Sequence, residues 1–250
     1  MQPMVGVQIT WLGHAAVLIE MDGVRVLTDP VLRHRIGPLV RVVPDPEALS
    51  PVDGVLISHL HADHADIGSL RAVRCRGPFV APHAGEAWLR AHGVESADDL
   101  RAGQDRWIGD IRVTATAATH DRRRWWLGPA ADPVGYLIRG SRSVYFAGDT
   151  DLFLAMAELR GHVDVALLPV WGWGSRVGAG HLDPESAAAA LALIAPKVAI
   201  PIHWGTYAMA HAARRAVDRE RPAREFAAYA QRYAPEVEVR VLAPGERTGF

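Results

Sequence analysis

Ser58-His59-Leu60-His61-Ala62-Asp63-His64 decides how the rest of this chain is read. Three imidazoles and a carboxylate fall within six positions, directly after the apolar run Val55-Leu56-Ile57. On a continuing strand these side chains would divide between two faces, whereas on a turn leaving a strand they can converge on one point. Imidazole and carboxylate are ligand types of divalent zinc, iron and manganese. A closed structural zinc site usually draws on thiolates, and the sole cysteine is Cys75. The expectation is a nitrogen- and oxygen-ligated, catalytic metal centre. The alternative is a solvated histidine-rich loop, but such tracts lack an ordered strand leading into them.

On the N-terminal side, Val7–Trp11 alternates, Gly13-His14 interrupts, and Ala16–Glu20 resumes. Asp22-Gly23 is a hairpin signal before a strand Val24–Leu27 that stops at Thr28-Asp29-Pro30. From Arg33 to Pro51 there is no clean period, which predicts a long loop. After the motif, helices are expected at Ile67–Arg74 and Ala84–Ala91 around a strand Phe79–Ala81. Gly109-Asp110 joins a hairpin of Trp107-Ile108 with Ile111–Thr116, and Gly140-Ser141 joins Tyr136–Ile138 to Val144–Ala147. Asp151 is placed to cap a helix to about Arg160. Val163–Leu168 is a buried strand, and Asp183-Pro184 opens an alanine-rich helix to Ile194. Val198–Ile200 leads into Pro201-Ile202-His203, followed by helical stretches near Met209–Glu220 and Arg224–Tyr233 and a last strand Val237–Leu242. With no repeat and no linker, residues 1–250 are expected to form one domain.

The totals exclude several function classes. A chain of 250 residues can bury a substantial core, and 49% hydrophobic with 22% charged residues is ordinary for a globular protein. Its net charge of −1 leaves no electrostatic footprint for nucleic acid. A single cysteine rules out an intrachain disulfide. No apolar stretch approaches the roughly 18 residues of a spanning helix, and the start lacks a signal-peptide layout. The expectations are a cytoplasmic protein, no stable membrane insertion, a small-molecule substrate and an open question of homo-oligomerisation.

Four separate apolar runs end in a ligand type: Ile57 into His59, Ala115–Thr119 into His120, Phe146 into Asp149, and Ile200 into His203. Sheets of this kind place their sites beyond strand ends. Stacking the ends gathers His59, His61, Asp63, His64, His120, Asp149 and His203 at one edge. Seven ligands are too many for one tetrahedral ion and suit two ions sharing a carboxylate.

The chain resembles the metallo-β-lactamase-fold superfamily from Trp11 to His203. Within it the resemblance is to the branch containing N-acyl-phosphatidylethanolamine-hydrolysing phospholipase D and L-ascorbate-6-phosphate lactonase. It is carried by Trp11-Leu12-Gly13-His14-Ala15, Thr28-Asp29-Pro30, the His-x-His-x-Asp-His run, Phe146-Ala147-Gly148-Asp149-Thr150 and Pro201-Ile202-His203-Trp204-Gly205-Thr206. The resemblance implies an α/β, four-layer αββα sandwich of two mixed β-sheets faced by helices. It implies His59, His61 and His120 on one ion, Asp63, His64 and His203 on the other, and Asp149 bridging. The lead-in Ala-Thr-Ala-Ala-Thr to His120 departs from the commoner Pro-Ala-x of that family. It also places His181, in Gly180-His181-Leu182-Asp183, at the pocket mouth as a catalytic group beside Asp149; the alternative is a surface histidine near a helix cap.

Other residues leave two readings open. Asp29 either orients a ligand imidazole from behind or merely ends a strand in a turn, and His14 stands similarly. Arg122-Arg123-Arg124-Trp125-Trp126 is either a substrate clamp or a solvated loop, and Trp171-Gly172-Trp173-Gly174 is a pocket wall that contacts substrate or does not. His34, His83, His92, His162 and His211 fall outside any ligand pattern. The expected activity is a dinuclear hydrolase with two divalent ions, zinc first and manganese or iron as alternatives. A metal-bridging hydroxide would attack an ester, lactone or phosphodiester of a small molecule. The rival classes are an iron-dependent oxidoreductase of the same fold and a phospholipase D-like enzyme on phospholipid.

Overall fold

The computed structural model describes residues 6–123, 129–173 and 177–250. In chain order the first half gives β1 (Val7–Gly13), β2 (Ala16–Met21), β3 (Val24–Thr28), β4 (Arg35–Ile36), β5 (Leu39–Arg41), β6 (Gly54–Leu56), α1 (Ile67–Ala72), β7 (Phe79–Pro82), α2 (Glu86–Ala91) and β8 (Ala97–Leu100). The second half gives β9 (Asp105–Ile108), β10 (Ile111–Ala117), β11 (Val134–Arg139), β12 (Ser143–Phe146), β13 (Val165–Pro169), α3 (Pro184–Ile194), β14 (Val198–Ile202), β15 (Tyr207–Met209), α4 (Arg221–Tyr233), β16 (Glu238–Val239) and β17 (Arg247–Gly249).

Two seven-stranded mixed sheets result, ordered β17-β1-β2-β3-β6-β7-β8 and β16-β14-β13-β12-β11-β10-β9. Period-two alternation explains the layering. From the first sheet, Ile9, Trp11, Val17, Ile19, Val26, Leu56 and Val80 pack in one core with Val113, Tyr136, Tyr145 and Leu167 of the second. Their neighbours Leu18, Leu27, Val55, Ile57, Phe79 and Ala81 point the other way, into a separate core with Leu70 of α1 and Leu89 of α2. Helices α3 and α4 pack against each other and bring Leu191 and Phe226 to the core served by the second sheet. A sheet apolar on both faces must be covered on both, and the result is the four-layer αββα sandwich.

The parallel pairs β3·β6, β12·β13 and β13·β14 set strand ends side by side. Asp29 follows β3, Ser58 and His59 follow β6, His120 follows β10, Asp149 follows β12, Trp171 follows β13 and His203 follows β14. His14 occupies the β1–β2 turn, where the ladder shifts register between Trp11 and Gly13. Three of these residues, His14 (φ 54°), Asp29 (φ 32°) and His203 (φ 66°), sit in the left-handed region. Such conformations cost of order 1–3 kcal/mol each and cluster where surrounding structure over-determines them. Gly148 (φ 61°) precedes Asp149, and a Cβ there would lie 2.5 Å from Ser58 Cβ, so the two strand ends meet backbone to side chain.

Several local expectations are corrected. The Arg33–Pro51 loop contains β4 and β5, and β5 pairs with β15 to make a small third sheet. Asp151 caps no helix; its carboxylate accepts from the Leu152 N–H, and a 3₁₀ turn begins later, at Leu154. The stretch near Met209–Glu220 is not helical beyond β15 but a run of turns closed by Ala212 N–H to Met209 O and Arg215 N–H to Ala212 O. Its composition favours helix, yet residues 214–218 are exposed and give a helix no face to bury, which is where most helical stability comes from. Strands β8 and β17 were not foreseen, because Ala97–Leu100 and Arg247–Gly249 are short and carry little apolar alternation. No helix among the described residues is long and apolar enough to cross a membrane.

Candidate metal centre

Five histidines converge on the edge where the strands end, and in each the outward ring nitrogen has a protein partner. His59 Nδ1 lies 3.0 Å from Ser58 Oγ and His61 Nε2 2.8 Å from the Arg123 carbonyl. His64 Nδ1 lies 2.7 Å from Asp29 Oδ2, His120 Nδ1 2.7 Å from the Gly180 carbonyl, and His203 Nδ1 2.7 Å from the Trp171 carbonyl. Each outward nitrogen donates its N–H, which leaves the inward nitrogen as the one that can face a cation or take a further proton. His61 alone presents Nδ1; the other four present Nε2.

The inward atoms crowd together. His61 Nδ1 and His120 Nε2 are 3.1 Å apart, and His64 Nε2 and His203 Nε2 are 3.0 Å apart. Asp149 lies between: its Oδ2 is 3.1 Å from His64 Nε2 and 3.4 Å from His181 Nε2, and its Oδ1 is 3.4 Å from His203 Nε2. Asp63 Oδ2 is 4.0 Å from both His64 Nε2 and His203 Nε2. His59 with His61 and His120 forms one compact group of donor atoms, and Asp63 with His64, His203 and His14 forms another. His120, Asp149 and His181 form a third that overlaps the first.

Two of these atoms, His59 Nε2 and Asp149 Oδ1, are buried without a hydrogen-bond partner. An orphaned buried polar atom costs about 1–3 kcal/mol, more if charged. Neutral imidazoles and carboxylates facing one another therefore call for positive charge among them. A proton on His64 meets part of that call: burial works against it, but Asp149 and Asp29 outweigh burial and hold His64 well above the ordinary imidazole range. His59, His61, His120 and His203 are all pushed the other way, towards the neutral form. Burial drives His59 well down, His203 to about 3 and His120 to about 4, against the opposing pull of Asp149. Burial raises Asp149 and Asp63, yet the surrounding histidines more than reverse this and keep both carboxylates ionised. Borderline divalent cations match this donor set of neutral imidazole nitrogens and carboxylate oxygens.

All seven proposed ligand positions are thus brought together, and His181 lies beside Asp149, about one quarter exposed. Of the residues left open, Asp29 is fully buried and takes hydrogen bonds from His64 Nδ1, the Ser58 N–H (2.7 Å) and the Ser58 hydroxyl (2.6 Å). It orients an imidazole and does not merely end a strand. His14 sets Nε2 3.2 Å from Asp63 Oδ2, stacks on His203 with ring centroids 3.8 Å apart, and accepts the His203 N–H on its carbonyl. The motifs around Trp11 and Trp204 are joined here, their indoles 4.7 Å apart.

Trp173 donates its indole N–H to Asp63 Oδ2 at 2.9 Å, so the Trp171–Trp173 stretch does wall the centre. Arg122 is paired with Asp132 at 2.7 Å. Arg124, Trp125 and Trp126 of the same stretch, and Gly174, lie outside the described residues. Ser58 escaped the sequence reading: a hydroxyl linking Asp29 to His59 is a signal only once the two strand ends are known to be adjacent. His34 and His83 instead face Asp45 and Asp99.

The family model described as the beta-lactamase superfamily domain matches residues 24–204. A metal-dependent hydrolase of Methanopyrus kandleri is 35% identical over 246 residues, covering 96% of this chain and 98% of its own. The solved structure of Igni18, a novel metallo hydrolase from Ignicoccus hospitalis, superposes with a TM-score of 0.74 at 27% identity and 98% coverage of both chains. CmlA, a diiron β-hydroxylase from Streptomyces venezuelae, shares the fold at a TM-score of 0.69 and 19% identity, covering 98% of this chain and 54% of that one.

Proposed function

This chain belongs to the metallo-β-lactamase superfamily, and on that premise we propose that it is a metal-dependent hydrolase using two divalent cations on an ester, lactone or phosphodiester of a small molecule. His59, His61 and His120 would hold one cation, Asp63, His64 and His203 the other, with Asp149 shared. The observation that carries this reading is the set of five imidazoles whose outward N–H groups are all engaged, so that five inward ring nitrogens face two carboxylates. Cations bound there would supply a Lewis acid for the acceptor oxygen and bring the pKa of water from about 15.7 towards 7.

The chain's own groups do the rest. Asp29, Ser58 and the Gly180, Arg123 and Trp171 carbonyls lock ring orientations, so no imidazole must reorganise when cations or substrate arrive. Asp63 is fixed from two sides by His14 and Trp173. His181 has its Nε2 3.4 Å from Asp149 and its Nδ1 3.2 Å from the Ala179 carbonyl, at the edge open to solvent. Burial lowers its pKa, but the hydrogen bond and charge of Asp149 raise it above the ordinary value, which favours the protonated form that could donate to a departing oxygen.

Metal content and turnover test this together. Protein purified without added metal should contain about two equivalents of divalent metal. Chelation should abolish hydrolysis of bis-p-nitrophenyl phosphate, p-nitrophenyl esters or lactones, and zinc, manganese or iron supplied separately should restore it. Stoichiometric iron with redox turnover and no hydrolysis would overturn the reading. For His181→Ala, both metal equivalents should remain while kcat falls by about 10²–10⁴-fold, the range of general acid catalysis. Loss of metal from that variant would make His181 a ligand instead.

A further inference from the structure

Beside the centre lies a cavity of about 360 Å³, walled by Trp171, Trp173, Tyr207, Met209, Ala212 and Val217. It shares a partition with the centre. The Trp171 carbonyl accepts from His203, the Trp173 indole donates to Asp63, and the Tyr207 ring meets His14 edge-on at 5.4 Å. Trp173 and Val217 leave 41% and 58% of their surface open, so large apolar groups that could have packed inward instead face one another across this space. Exposed apolar surface gathered in a concavity marks a binding site.

The cavity rim is charged, and its charges are not equivalent. Asp218 is neutralised by the Arg224 guanidinium, and Arg219 spends an N–H on the Ala213 carbonyl at 2.8 Å. Arg215 is exposed and has no ion-pair partner among the described residues. An unpaired guanidinium offers a planar fork of donors suited to carboxylate or phosphate.

We propose that this cavity receives the apolar arm of a small substrate whose scissile bond is presented to the metal centre, and that Arg215 binds an anionic group at the far end of that arm. The substrate class is therefore an anionic amphiphile, an apolar chain or ring with an ester-type bond at one end and a negative group at the other. The inference rests on the hydrolase reading for its chemistry but not for its binding.

Two measurements separate them. In steady-state assays on p-nitrophenyl acetate, p-nitrophenyl hexanoate and the mono-p-nitrophenyl ester of adipic acid, kcat/KM should rise at least ~10-fold from acetate to hexanoate as methylenes enter the cavity. It should rise again for the adipate ester. Arg215→Ala should erase the advantage of adipate over hexanoate, and Ala212→Trp should collapse the hexanoate-to-acetate ratio towards one. In calorimetry, monomethyl adipate should bind the wild-type protein and bind each variant at least ~10-fold more weakly. Arg215 is exposed, so its loss leaves a folded chain with which to read both assays. Binding with no turnover of ester, lactone or phosphodiester under any metal would remove the hydrolase reading and leave the cavity assignment standing. Ester turnover with no chain-length preference, or adipate binding indifferent to both substitutions, would overturn the cavity assignment.

Discussion

Asp149→Asn should reduce turnover by about 10³-fold or more and release one of two bound metal equivalents, while the chain stays folded. The substitution keeps shape and volume, so packing around a side chain only 2% exposed is preserved. What changes is charge: a carboxylate offers negative charge on both oxygens, one towards His64 and His181 and the other towards His203. An amide offers one neutral oxygen and turns an NH2 group towards imidazole nitrogens. A factor of ten corresponds to about 1.4 kcal/mol, and a cation held between two sites loses several kcal/mol with its shared anion. Metal analysis after gel filtration and kcat on the best substrate decide the matter. Full metal occupancy with turnover within tenfold of wild type would refute the shared role.

Asp29→Ala should lower stability by about 3–5 kcal/mol and metal affinity by about 10–100-fold, although among the five imidazoles Asp29 is hydrogen-bonded only to His64. Three hydrogen bonds end on this carboxylate at 2.6–2.7 Å, all of them buried. Truncation strands the His64 ring N–H and the Ser58 backbone N–H in a site without water-exposed alternatives, and each orphan costs about 1–3 kcal/mol. His64 is then free to rotate, which is how loss of an orienting carboxylate weakens a metal site. Burial raises the Asp29 pKa, with His64 and Ser58 pulling the other way. Urea unfolding and a metal-competition titration read the two effects separately. Asp29→Asn should keep most of the stability, since it retains an acceptor for Ser58, but not the metal affinity. Wild-type metal affinity in both variants would end the case for Asp29 as the orienting group.

The residues that meet at the centre were legible in the sequence because strands of apolar residues end in polar, metal-binding types, and parallel pairing sets such ends side by side. His59, His120, Asp149 and His203 each announce themselves this way, and the spacing of His61, Asp63 and His64 does the rest. Local propensity, by contrast, misled at Met209–Glu220, where good helix formers remain as turns for want of a buried face. It also missed β4 and β5, a very short hairpin whose inner strand β5 finds its other partner, β15, more than 160 positions away.

The sequence alone determined the layered α/β architecture and the chemical identity of the centre, because both depend on which residue types recur at strand ends and on alternating faces. Only the tertiary structure decided that Asp29 and Ser58 orient the imidazoles, that His14 and Trp173 hold Asp63, and that a cavity shares its wall with the centre. Those roles depend on contacts between segments far apart in the chain, made through backbone carbonyls and left-handed turns that residue type does not encode.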